Sequence, residues 1–237
     1  MKRLLPALLL CLLPHAGMAV PLILSTATNP QGTGNNQGVW SETASNANNI
    51  DRYSVGSALG SDLRSYFGFD TAALAGWTVN SATLVLSYGI GGGAATLTFD
   101  LAAVSTPIAT LVEKVNSPNL AIFNSLAGGT NYGSYSLSTS ATGLANLVLN
   151  SAAIADLQTA ATSGSFFVLG GSSIQAEGLT GNNFLFAGTD GLAATLVLDV
   201  SAATPGAPEF DGSQAVSAFA ALALLTLTGA RRKATRH

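Results

Sequence analysis

Apolar and polar residues alternate in several stretches through the middle of the chain, and alternation with period two predicts strands with one buried face. Over residues 81–88, Ala82, Leu84, Leu86 and Tyr88 fall on one side, with Thr83, Val85 and Ser87 on the other. Leu97, Phe99 and Leu101 oppose Thr96, Thr98 and Asp100, and Leu196, Leu198 and Val200 oppose Thr195, Val197 and Asp199. Residues 63–69, 134–138, 165–169 and 183–187 are further strand segments. Turns are predicted at Gly91-Gly92-Gly93, Gly128-Gly129, Gly170-Gly171 and Thr189-Asp190-Gly191. The last would close a hairpin between the final two strands. Helical spacing is weak over 117–126 and clearer over 151–162, where Ile154, Leu157 and Ala161 share a face and Ser151 is placed to cap the N-terminus. Residues 29–38 (NPQGTGNNQG) read as a loop. Many strands with one or two short helices predict an all-β fold, a jelly-roll-like sandwich of two antiparallel sheets.

The two ends break this pattern. Met1-Lys2-Arg3 is followed by an apolar run over 4–13, and Gly17 and Ala19 supply small residues at the spacing a signal peptidase reads. Residues 1–19 are therefore read as an export signal helix, cut after Ala19. At the other end, residues 204–214 form a breaker-rich linker containing Pro208-Glu209. Residues 215–230 are apolar nearly all round, as expected of a hydrophobic helix, and 231–237 form a basic tail opened by Arg231, Arg232 and Lys233. A 16-residue run is shorter than the about 20 residues of a full span, but the basic cluster behind it fits a stop-transfer signal with the tail cytoplasmic. Residues 20–203 remain as the β-sandwich domain.

Charge and composition narrow the function classes. Only 9% of residues are charged, while 48% are hydrophobic and 26 are glycine, so the chain is neither disordered nor a typical cytoplasmic globule. Between residues 20 and 205, three basic residues (Arg52, Arg64, Lys114) face ten acidic ones, a net of −7. Such a body is a poor ligand for nucleic acid. The single cysteine, Cys11, and both histidines, His15 and His237, lie in the terminal segments. The body thus has no material for a Ser-His-Asp or Cys-His device, or for a zinc site built on imidazole or thiolate. Carboxylate pairs for glycoside hydrolysis are the remaining catalytic option, but most of the acids fall at strand ends or turns, where Asp caps backbone groups. Calcium suits oxygen-only donors; Asp51, Asp62, Asp70 and Asp199 are its candidate ligands, without an EF-hand loop around them. Trp40, Tyr53, Tyr66, Trp77, Tyr132 and Tyr135 lie outside clear core registers. Trp40, Arg64, Tyr66 and Trp77 are the candidate ligand-binding residues, although packing is the commoner use of such aromatics and pairing with a neighbouring Asp the commoner use of Arg64.

Two resemblances add to this reading. Pro208-Glu209, the apolar run and Arg231-Arg232-Lys233 follow one another in an order that resembles the PEP-CTERM sorting signal of bacterial surface proteins. Phe210 stands where that motif has a second proline. The resemblance implies processing at the cell envelope by an exosortase-like enzyme. Within the body, Ser61-Asp62-Leu63-Arg64-Ser65-Tyr66-Phe67-Gly68-Phe69-Asp70, a short turn, and the stretch 79–86 with its Ser-Ala-Thr-Leu-Val-Leu resemble the DNRLRE type of carbohydrate-binding module. In this segment Ser65, Phe67 and Phe69 would share one strand face and Arg64, Tyr66 and Gly68 the other, Asp70 would cap the turn, and the next strand would return antiparallel. The helix at 151–162 followed by Phe166-Phe167-Val168-Leu169-Gly170-Gly171 is similar too. This resemblance implies a jelly-roll sandwich on a secreted protein, with polysaccharide binding in some members.

The expectation is therefore a non-catalytic exported protein of the cell surface or extracellular matrix, held by the membrane through its C-terminal helix before processing, with signal peptidase and an exosortase-like enzyme as partners. A polysaccharide-binding module is the alternative, and a carboxylate-dependent glycoside hydrolase a third reading. No cofactor other than calcium is suggested.

Overall fold

The computed structural model describes residues 19–27, 35–43, 52–58, 60–113 and 117–203. Strands β1 (Val20–Ser25), β2 (Gln37–Ser41), β3 (Val55–Ala58) and β4 (Ser61–Asp70) come first. A 3-10 turn over Ala72–Leu74 leads to β5 (Trp77–Ser87), β6 (Ile90–Gly92) and β7 (Thr96–Ala103). Helices α1 (Ile108–Leu111) and α2 (Leu120–Ser125) precede β8 (Asn131–Ser138) and β9 (Leu144–Val148). After α3 (Ser151–Ser163) come β10 (Phe166–Ser172), β11 (Asn183–Ala187) and β12 (Thr195–Ala202).

Every ladder among these strands is antiparallel, and they make two sheets. One has the order β1-β12-β5-β9; the other runs β6-β11-β3-β4-β10-β7-β8, with β2 also on β4. Leu63 pairs with both Ser41 and Gly56, and Phe67 with both Gln37 and Leu169. A strand has two edges, so β2 takes one edge of β4 while β3 and β10 share the other, end to end. The all-β sandwich expected from the alternation is the fold, with three short helices where one or two were expected.

The main core fills the space between the sheets, and the alternating sets supply it. Ala82, Leu84 and Leu86 of β5, Leu97, Phe99 and Leu101 of β7, Phe67 and Phe69 of β4, and Leu196, Leu198 and Val200 of β12 are all buried in it. Aromatic edges knit the centre: Phe186 lies 5.0 Å from Phe99 and 5.8 Å from Tyr53 between ring centroids. Leu185 and Phe186 are both buried although adjacent, because the β11–β6 register shifts between Phe184 and Ala187 and Phe186 takes a positive φ of 68°. Helix α3 closes the sandwich beside β5 with Leu157 and Ala161 inward, and Ile154 packs against them.

Several local expectations are corrected. Gly170-Gly171 lies inside β10 rather than in a turn. A Cβ on Gly170 would sit 2.0 Å from the Leu126 carbonyl oxygen, and one on Gly171 2.8 Å from the Phe99 ring, so these glycines serve close approach. Gly91 and Gly92 belong to β6, and the turn begins at Gly93. The Thr189-Asp190-Gly191 turn joins β11 to β12 in the opposite sheet and closes no hairpin, and β4 passes to β5 across the sandwich in the same way. Helix α3 is capped by Asn150, whose side chain accepts from the Ala153 N–H, and not by Ser151.

The chain divides into two compact units, Met1–Ala202 and Ala203–His237. Residues 1–18 and 204–237, which carry Gly17, Pro208, Glu209, Arg231, Arg232 and Lys233, lie outside the described residues, while Ala19 is exposed just before β1. Among the described residues no helix is long and apolar enough to cross a membrane.

Candidate functional site

Strand β4 is covered on both faces. Phe67 and Phe69 enter the main core, while Tyr66 on the opposite face joins Trp40, Leu111, Val112, Ile122, Phe123 and Leu126 in a second, smaller core under α1 and α2. A Cβ on Gly38, opposite Tyr66 in the β2–β4 register, would fall 2.6 Å from the Tyr66 hydroxyl oxygen, so the ring lies over that glycine. Trp40 is opposite Arg64 in the same register, and its indole N–H donates to the Leu111 carbonyl at 3.2 Å.

The structure thus brings Trp40, Arg64 and Tyr66 together, but as interior. Trp40 and Tyr66 expose no surface, which corrects the reading of them as ligand platforms: a ring enclosed by helices cannot stack on a sugar. Trp77 lies apart, half-buried at the start of β5, where its carbonyl accepts from the Gln158 side chain at 3.1 Å. Tyr53 and Tyr132 are core residues; Tyr135 is half-buried and donates to the Val148 carbonyl at 2.5 Å. Burial raises the Tyr132 phenol pKa above its ordinary value, and the Asp156 carboxylate 2.5 Å away raises it further. Burial also raises those of Tyr53 and Tyr135.

Arg64 is an ion-pair residue, as expected, but its partner is Glu177 rather than a neighbouring Asp. Its Nε and Nη2 donate to the two Glu177 carboxylate oxygens at 2.9 and 2.7 Å. Nη1 donates to the Phe123 carbonyl at 3.0 Å, and the guanidinium carbon lies 4.2 Å from the centre of the Phe123 ring. A planar fork can satisfy a carboxylate, a carbonyl and a ring face together, which an ammonium could not do. Two residues earlier on the same strand face, both oxygens of Asp62 accept from the Gly178 N–H at 3.0 Å. On β3, the Ser57 hydroxyl donates to the Leu179 carbonyl at 3.3 Å. Three strand side chains therefore hold three consecutive residues of the β10–β11 connection.

The held loop forms one wall of an open cleft of about 440 Å³ lined by Glu42, Ser57, Ser61, Asp62, Thr180 and the backbone around Gly178–Gly181. The Ser61 hydroxyl contacts that of Ser41 and accepts from Thr43 Oγ1 at 2.8 Å. The cleft offers the Glu42 and Asp62 carboxylates, hydroxyls and peptide groups beside apolar surface that includes Leu179. Glu42, Ser57 and Glu177 were not singled out in the sequence; Glu42 follows β2 and Ser57 lies in β3, both neighbours of β4, while Glu177 is 113 residues from Arg64.

The described calcium candidates, Asp62, Asp70 and Asp199, lie apart. Among the described residues no three His, Cys, Asp or Glu side chains gather where an ion could be held. Asp62 is committed to Gly178, and Asp70, at the other end of β4, accepts from the Ala72 N–H at 2.9 Å, capping its turn as expected. Asp199 stands opposite Ser81 and Pro21 in the other sheet, and Asp51 lies outside the described residues.

Fold and cleft together define an antiparallel two-sheet sandwich with an open cleft beside β4. No protein-family model matches the chain, and no match to a curated protein was found.

Proposed function

We propose that this is an exported, non-catalytic β-sandwich protein of the cell surface or extracellular matrix, addressed by its two terminal segments. What supports the reading is that the β1–β12 ladder closes the described sandwich within residues 20–202, starting one residue after the expected cut at Ala19 and ending before the 204–214 linker. The described core uses residues from Leu24 to Val200. Expressed with both ends intact, the chain is expected in the envelope or medium with residues 1–19 removed, and fractionation with N-terminal sequencing reads this out. Full-length chain in the cytosol defeats the proposal.

A second reading, polysaccharide binding, draws on the open cleft with its mixed polar and apolar lining, beside a loop tied by the Arg64–Glu177 and Asp62–Gly178 bonds. Retention on immobilised polysaccharides that is lost in Asp62→Ala would support it; the absence of retention on neutral and acidic polysaccharides alike would defeat it.

A further inference from the structure

The outer faces of the two sheets are built differently. In β7 and β8 the positions turned away from the core are Thr96, Thr98 and Asp100, paired with Ser138, Ser136 and Ser134, an ordinary water-facing set. In the sheet β1-β12-β5-β9 the register instead lines up Ile23, Val197, Thr83 and Val148 in one row across all four strands. Ser25, Thr195, Val85 and Asn146 form the next row, followed by Ser87 and Leu144, and Pro21, Asp199 and Ser81 lie on the other side. The chain neighbours Leu24, Leu84, Leu147, Leu196 and Leu198 fill the core, so these rows point outward. Ile23 and Val148 are each 65% exposed and Leu144 is 61% exposed. Asp199 is the one charged residue in the rows.

We propose that this face is where two copies of the chain associate, sheet against sheet, in a weak, reversible two-fold dimer. Contiguous exposed apolar surface of this kind marks an association site. Charge selects the occupant's approach: between residues 20 and 205 the body has three basic and ten acidic residues, so two copies repel except where a face is nearly uncharged. A two-fold contact also needs a patch complementary to itself. An axis along the strands between β12 and β5 lays Ile23 over the partner's Val148 and Val197 over the partner's Thr83. Asp199 then meets the partner's Ser81, and no carboxylates are opposed. Pairing edge to edge is blunted at both borders of the sheet. Pro21 removes a donor from β1, and the Tyr135 hydroxyl occupies the Val148 carbonyl of β9. Strands about 4.8 Å apart and rows about 6.8 Å apart make a patch of about 450 Å², so the pair covers about 900 Å², the size of a weak interface.

Sedimentation equilibrium of the full chain in density-matched dodecyl maltoside tests this, with micelles in excess so that the apolar terminal runs of different chains are kept apart. The wild type is expected to dimerise with a Kd of about 10–100 µM. Ile23→Lys and Val148→Lys should each weaken the dimer at least about ten-fold, because an ammonium would have to shed its water on the face, although each change lowers the net negative charge. Both positions are exposed, so neither change disturbs the core. Ile174, 56% exposed and outside this face, is the control. Ile174→Lys makes the same charge change and should move Kd by less than about two-fold. Raising NaCl from about 20 to about 300 mM should tighten the wild-type dimer, since salt screens the repulsion between the two bodies. A chain that stays monomeric up to about 500 µM overturns the proposal and leaves the face to another occupant. Equal weakening by all three variants, no weakening by either face variant, or a dimer loosened by salt overturns it too.

Discussion

The two faces of β4 use the same alternation for different ends. On one face Phe67 and Phe69 enter the main apolar core, and the one polar neighbour on that face, Ser65, bonds only to the Ser54 backbone. On the other, Tyr66 and Trp40 are equally enclosed, but by two short helices, and the same face carries Arg64 and Asp62. The first face works by removing apolar area from water, about 25 cal/mol per Å². The second adds directional bonds that fix a distant loop, and such bonds are costly to leave half-made. A strand can thus be core on both sides while only one side reads as core from the sequence.

The largest effects should come from the rings on either face. Phe67→Ala is expected to lower unfolding free energy by about 3–5 kcal/mol in chemical denaturation, and Trp40→Ala by the same order because its ring is equally enclosed. A loss below about 1 kcal/mol for Trp40→Ala would break the comparison, reducing the small core to a surface cover. Glu177→Gln leaves the Arg64 guanidinium short of its charged partner in a setting where both side chains are only 11–12% exposed. The expected loss is about 1.5–3 kcal/mol, with faster amide exchange at Gly178. Unchanged exchange there would show that the clamp does not order the loop.

Away from β4, two smaller effects sharpen the contrast. Asn150→Ala removes the cap of α3 and should cost about 1 kcal/mol, with exchange rising in the first turn of that helix alone. Tyr132 gives a pH signature. Its folded-state pKa is raised above the unfolded value of about 10, so the folded state holds the proton more tightly, and this contribution is complete below pH 10. It is lost as pH rises above about 10. Thermal denaturation of the wild type should therefore fall off above pH 10, and Tyr132→Phe should flatten that decline; an identical slope in the variant would assign the alkaline loss elsewhere.

What was legible in the sequence follows the same division. Strands with one solvated face, such as β5, β7 and β12, announce themselves because water leaves a polar residue at every second position. Short strands without that imprint were missed: every residue of β2 is buried, and in β9 the exposed positions include the apolar Leu144 and Val148. Gly170-Gly171 was read as a turn because glycine is ambiguous between a bend and a tight approach, and only Leu126 and Phe99 resolve which. Hairpins were expected where the chain crosses between sheets, since turn chemistry says where a strand stops and not which sheet takes the next one. The Arg64 ion pair was foreseen in kind, but Glu177 is 113 residues away and no spacing rule reaches it. The aromatics Trp40 and Tyr66 were placed on a surface that α1 and α2 cover, and those helices carry only weak helical spacing of their own.

The central proposal is that the two apolar termini are addresses carried by the sandwich. Intact mass measurement of the protein recovered from the envelope or medium of cells expressing the whole chain tests this most directly. The predicted result is an N-terminus at Val20, one residue after Ala19. A soluble cytosolic species that begins at Met1 and retains Arg231, Arg232 and Lys233 would contradict it.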